Sequence, residues 1–137
     1  PVTLTVEAGD DRLRIPHSGV EAIASRSSPL GFRACFTHDA APEAPLRARP
    51  APTVAPGWFD CFDAAAIGAL LASGEATAHT AWTDVAYGVD RIVALAADGR
   101  GWAWHELNDC GARAYDGSAT APACPDRATY TPLTEGS

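Results

Sequence analysis

The sequence contains no lysine, no methionine and a single asparagine, Asn108. All ten basic residues are therefore arginine. They are scattered, with Arg47 and Arg49 the one dense spot beyond the first strands. Arginine in place of lysine, with a heavy alanine load, reflects GC-rich coding and carries no functional message. The formal net charge is −7. Nucleic acid and anionic lipid both require clustered positive charge, so neither is an expected partner. No internal run is long and apolar enough for a signal segment or a membrane span.

Catalytic patterns are also missing. His105-Glu106 resembles the start of a zinc-protease motif, but the second histidine would have to stand where Asp109 is, and the stretch reads as a strand. His17, His38, His79 and His105 lie far apart, without ligand spacing. No G-x-S-x-G elbow, phosphate-cradling loop or nucleotide box occurs. Asp60 and Asp63 flank Cys61 but suit the first turn of a helix, where acids cap and oppose the dipole. Asp109 and Asp116 read as turn residues. We therefore expect no catalytic residue, no metal ligand and no cofactor, and a protein that is not an enzyme.

What is present is an even set of four cysteines: Cys35, Cys61, Cys110 and Cys124. Their wide spacing fits two structural disulfides and an oxidising compartment better than a metal knuckle or a redox pair. Three connectivities are possible. Cys35–Cys61 with Cys110–Cys124 is preferred, because each pair then brackets one irregular stretch. The entropic model allows about 3 kcal/mol for each bond. At 137 residues the chain is expected to form one domain whose alanine-diluted core gains from such links.

The pattern along the chain points to an α+β fold. One small antiparallel sheet is expected, with one main helix packed on a face and two disulfides. Residues 2–6 and 12–15 alternate as an N-terminal hairpin. Residues 18–25 suggest a short helical turn capped by Ser18. Residues 31–37 form a strand with Phe32, Ala34 and Phe36 on one face and Arg33 and Cys35 on the other. The Ala/Pro-rich segment 40–56 reads as an extended surface loop that is merely tolerated. The helix spans Asp60 to Ser73 and stops at Gly74, with a core stripe through Phe59, Phe62, Ala66, Ile67, Leu70 and Leu71. In the strand 76–83, Thr77 and His79 are expected to face solvent.

Residues 87–95 and 101–107 flank Asp98-Gly99, a strong hairpin signal. A two- or four-residue loop sets Leu95 opposite Trp102, Val93 opposite Trp104 and Arg91 opposite Glu106 as an ion pair. The remaining candidate surface is this Trp102/Trp104 face, with Arg91, Glu106 and the neighbouring Trp58. It is read first as core and second as a ligand platform.

Several blocks carry a resemblance. They are Ser28-Pro29-Leu30 with Phe32-Arg33-Ala34-Cys35-Phe36, and Ala55-Pro56-Gly57-Trp58-Phe59-Asp60-Cys61-Phe62-Asp63 running on to Gly68. To these add Tyr87 to Val93, Asp98-Gly99-Arg100 to His105, Cys110-Gly111 and Cys124-Pro125. Together they resemble DUF6446, a family of uncharacterised alphaproteobacterial proteins. The resemblance implies one N-terminal transmembrane helix upstream of Pro1 and a small periplasmic domain. Some members carry a histidine-kinase label that these residues do not support. The long Ala/Pro loop is a departure from the family. The leading expectation is a non-catalytic periplasmic domain of a single-pass inner-membrane protein, an accessory or interaction module with a protein partner at that membrane. A small-ligand sensor using the Trp face is the second reading, and a metal-dependent or hydrolytic enzyme built around His105 and Glu106 the third.

Overall fold

Alternating apolar residues from Leu4 to Ile15 must bury one side, and Leu4, Val6 and Ile15 do so against a larger sheet. The computed structural model describes residues 4–9, 11–25, 27–39 and 43–108. Strands β1 (Thr5–Ala8) and β2 (Asp11–Arg14) form an antiparallel hairpin turning at Gly9, whose φ of 64° suits glycine. This hairpin is a separate two-stranded sheet. The main sheet has five strands: β3 (His17–Ile23), β4 (Arg33–His38), β5 (Ala76–Ala86), β6 (Val89–Ala96) and β7 (Arg100–Leu107). Their order is β3-β4-β7-β6-β5, and every neighbouring pair is antiparallel. The fold is thus mixed α+β with little helix and two sheets where one was expected.

One face of the main sheet packs against the hairpin. Leu4, Val6 and Ile15 meet Phe32, Ala34, Phe36, Val93, Leu95 and Ala103 there. Arg12 holds the hairpin to β5, its guanidinium 3.6 Å from the Trp82 ring centroid and donating to the Ala81 carbonyl. The opposite face carries Ile92, Ala94, Trp102 and Trp104 under α1 (Ala64–Ser73), the one α-helix among the described residues, with Phe59, Phe62 and Ile67. The helix starts where the Asp63 carboxylate accepts from the Ala66 amide at 3.1 Å and ends at Gly74 in the left-handed region. It begins later than Asp60, because Gly57 to Cys61 is taken up by turns. A disulfide joins Cys35 on β4 to Cys61, with Cα atoms 6.3 Å apart, and ties the approach to α1 onto the sheet. Cys110 and Cys124 lie outside the described residues. Among the described residues no helix is long and apolar enough to cross a membrane.

Three local expectations are corrected. Residues 18–25 do not form a helical turn; they belong largely to β3, an edge strand bulged between Ser18 and Glu21 with Gly19 at φ 64°. His79 does not face solvent: it is 3% exposed, and its Nδ1 lies 3.0 Å from the Pro45 carbonyl. The β6–β7 hairpin is displaced by one residue, with Leu95 opposite Gly101, Ala94 opposite Trp102 and Ile92 opposite Trp104. Its connection holds an odd number of residues, closed by the Gly99 amide donating to the Ala96 carbonyl with Gly99 at φ 96°. An odd count in place of an even one sends each side chain to a partner from the other face.

Candidate interaction surface

The displaced register decides what the aromatic face does. Trp102 is 6% exposed and Trp104 is fully buried. The Trp102 indole donates to the Cys61 carbonyl at 3.1 Å, and Phe62 meets Trp104 edge-on at 6.1 Å. The two rings are core, and no open aromatic platform exists at them. Nor is there an Arg91–Glu106 pair: Arg91 stands opposite His105, Glu106 opposite Asp90, and the two side chains point to opposite faces.

Glu106 takes part in a different construction. The segment 43–58 has no helix or strand, as its prolines dictate, yet it is far from loose. It crosses the helix-side face in the spatial order of the strands. The Arg47 amide donates to Ala78 on β5 at 2.7 Å. The Arg47 guanidinium donates to Asp90 Oδ2 on β6 at 2.6 Å, to Thr80 Oγ1 at 3.2 Å and to Glu106 Oε2 on β7 at 3.4 Å. Glu106 Oε1 accepts from the Ala51 amide and from the Trp104 indole, both at 2.9 Å. Arg33 on β4 donates to the Thr53 and Val54 carbonyls at 3.0 and 2.8 Å, and also to Leu30 and Phe32. Burial holds the Arg33 guanidinium below its ordinary pKa. Asp90 is completed by the Asp84 amide at 2.9 Å and Asn108 Nδ2 at 2.8 Å. That contact accompanies the left-handed φ of 53° at Asp84. The Ala/Pro segment is therefore a strap fastened by buried charges, with the Cys35–Cys61 bond at its base.

Fastening from beneath leaves apolar side chains above. Leu46 (69% exposed), Val54 (82%) and Trp58 (74%) are the large hydrophobic residues exposed among those described, and all three stand on the strap. Between the strap and the end of β3 runs a groove of about 520 Å³, walled by Ile23, Ala24, Gly31, Val54, Pro56 and Trp58. On the far side of Val54 and Pro56 the surface carries Asp60 and Asp63. Of the five sequence candidates, Trp58 alone is presented to solvent. The structure gathers Trp104 and Glu106 into the strap anchor, adds Trp102 to the core, and places Arg91 on the other face.

Arg91 lies 4.2 Å from the Phe32 ring centroid, and its Nε donates to His105 Nε2 at 3.0 Å. His105 Nδ1 therefore carries the imidazole proton and donates to the Pro29 carbonyl. Burial, with Arg91 and Arg33 adding repulsion, pushes this histidine down to about 4, against the pull of the Pro29 hydrogen bond. A neutral histidine between an arginine and a carbonyl, with Glu106 on the other face, is not a hydrolytic dyad. The remaining histidines serve other parts of the fold: His17 contacts the Ile15 carbonyl, His38 the Ala96 carbonyl and His79 the Pro45 carbonyl. Among the described residues no three metal-capable side chains come together. Asp109 and Asp116 lie outside the described residues.

Arg33, Arg47 and Asp90 were not identified from the sequence as a unit. The one signal was that Arg33 shares the Cys35 face of its strand. No curated protein and no solved structure matches the chain. A family model does, over residues 2–125, including β1 to β7, the strap and both described cysteines, and the chain belongs to that family, the family of unknown function DUF6446.

Proposed function

We propose that this is a non-catalytic, extracytoplasmic interaction module, carried by a membrane-anchored envelope protein, that docks a protein partner through the Trp58–Val54 face of the strap. The observation that carries this reading is the rigid presentation of Trp58, 74% exposed. A solvent-exposed tryptophan on a segment pinned by Arg33, Arg47 and a disulfide loses little conformational freedom on binding, and tryptophan is the residue most enriched at binding hot spots. The Cys35–Cys61 bond supports an oxidising compartment and hence the periplasmic side of an inner membrane.

The test is a mild-detergent purification of the full-length protein from its native membranes, beside Trp58→Ala and Val54→Asp variants. A stoichiometric partner that is lost with either variant supports the reading. A protein that purifies alone in all three forms counts against it. That result would shift attention to small-ligand binding in the hollow of about 230 Å³ between Arg91, His105 and Ser25.

A further inference from the structure

A five-stranded open sheet has two edges, and this one treats them differently. The β5 edge is closed: its Ala78 carbonyl accepts from the Arg47 amide, its Ala81 carbonyl from Arg12, and its Thr83 amide donates to Glu7 at 2.7 Å. These are the devices by which a sheet blocks further pairing. The β3 edge is different. The bulge at Gly19 spoils only its first half, and from Glu21 to Ile23 it pairs regularly with β4. Among the described residues no backbone group of Glu21, Ala22 or Ile23 has a hydrogen-bond partner outside β4. The groove beside Trp58 and Val54 opens along the end of this same edge, at Ile23 and Ala24.

We infer that β3 accepts a short extended segment of the partner as a sixth strand, and that the segment alternates basic with apolar residues on its strap-facing side. The inference rests on the docking face proposed above and specifies its partner. Backbone pairing with an unpaired edge supplies affinity, and pockets for alternate side chains supply selectivity. Glu21 stands opposite Cys35 and therefore shares the strap face with Ile23. Asp60 and Asp63 flank the groove across the strap. Among the described residues the cation in the groove wall is Arg33, and it is already committed to four carbonyls. Among the described residues, Glu21 on the strap face of β3 and Asp60 and Asp63 across the strap thus set negative charge on either side of an apolar floor, which favours arginine or lysine spaced two residues from valine, leucine or isoleucine.

The experiment is hydrogen exchange of the intact chain with an eight-residue peptide in which threonine alternates with arginine and valine. A matched peptide with glutamate in place of arginine is the control. Exchange across residues 20–25 should slow by roughly fivefold or more with the first peptide at saturation. The second peptide should leave it unchanged, and Trp58→Ala should weaken the protection. Equal protection by both peptides, or none by either, overturns the inference. Protection already present in the dilute chain alone at the amides that point away from β4 overturns it, because the edge is then covered. Protection that grows with protein concentration overturns it in favour of a second copy. The membrane purification reads the Trp58 face separately. A captured partner with unchanged exchange at 20–25 removes strand addition and leaves the docking face standing.

Discussion

Arg47 and Asp90 meet at 2.6 Å although one comes from a proline-rich strap and the other from a central strand forty-three residues on. The Asp90 side chain is 3% exposed and Arg47 is 17% exposed, so the pair sits at the margin of the core. A carboxylate so placed is tolerable only when its oxygens are saturated, and Arg47, Asp84 and Asn108 provide the partners. The same guanidinium reaches Glu106, so one side chain neutralises two buried acids.

Removing that side chain should expose its importance. Arg47→Ala leaves Asp90 and Glu106 without their shared cation and is expected to cost about 3 kcal/mol. This is the lower end for a buried pair, because Arg47 keeps some contact with water. Urea denaturation gives the loss. Limited proteolysis should show new cleavage between residues 47 and 56 well before the sheet melts. An unchanged cleavage pattern would mean that Arg33 and the disulfide hold the strap without it.

The Cys35–Cys61 bond closes a loop of 26 residues. By the chain-entropy account a loop of that length contributes roughly 3–4 kcal/mol. The double variant Cys35→Ala/Cys61→Ala should lose about that much while keeping its strand content by circular dichroism. Thiol labelling of the denatured wild type should mark Cys61 only after reduction. Labelling without reductant would contradict the oxidised state.

Gly101 tolerates no side chain for a reason visible in the core. A Cβ there would run into the edge of the Phe36 ring, which lies across β7 from β4. Phe36 is itself 4% exposed and has little room to retreat. Gly101→Ala should destabilise by about 1–3 kcal/mol, read as a lower urea midpoint. Gly68→Ala, on the helix with open space around it, should be neutral to stabilising, by up to ~1 kcal/mol.

Much of this architecture was legible locally. Asp63 and Gly74 bound the helix through contacts within a turn, and the alternation of Phe32, Ala34 and Phe36 assigned the faces of β4 correctly. The Cys35–Cys61 pairing followed from bracketing one irregular segment. What failed depended on one residue or on distant partners. Asp98-Gly99 suits an even loop and an odd one alike, yet the choice decides whether Arg91 meets Glu106 or His105. The partial burial of β3 recurs every third residue, at His17, Val20 and Ile23. That period imitates a helix, and an exposed edge strand with a bulge need not alternate. His79 lies on a strand face that would be solvated but for Pro45. The strap reads as an expendable loop in the sequence because the acids that fasten it, Asp90 and Glu106, are far away along the chain. Sequence groups Trp58 with Trp102 and Trp104, whereas its place in the fold is the outer side of the strap.

His105 makes stability depend on pH in a direction its surroundings dictate. An imidazole ordinarily titrates near 6.5; in this fold burial, Arg91 and Arg33 lower that to about 4. The unfolded chain therefore binds this proton first as pH falls. The stabilisation is complete above the ordinary histidine value and is lost as pH falls from about 6.5 towards 4. Between pH 7 and pH 5 this group alone should remove about 2 kcal/mol. His105→Gln lacks the titration but keeps a donor and an acceptor for Pro29 and Arg91. It should be less stable than the wild type at pH 7 and lose less on acidification. The remaining histidines and carboxylates are common to both forms, so the difference between their urea midpoints at the two pH values isolates His105. Parallel losses in the two proteins would mean that the imidazole is not held neutral in the fold, and that Arg91 and His105 do not stand as described.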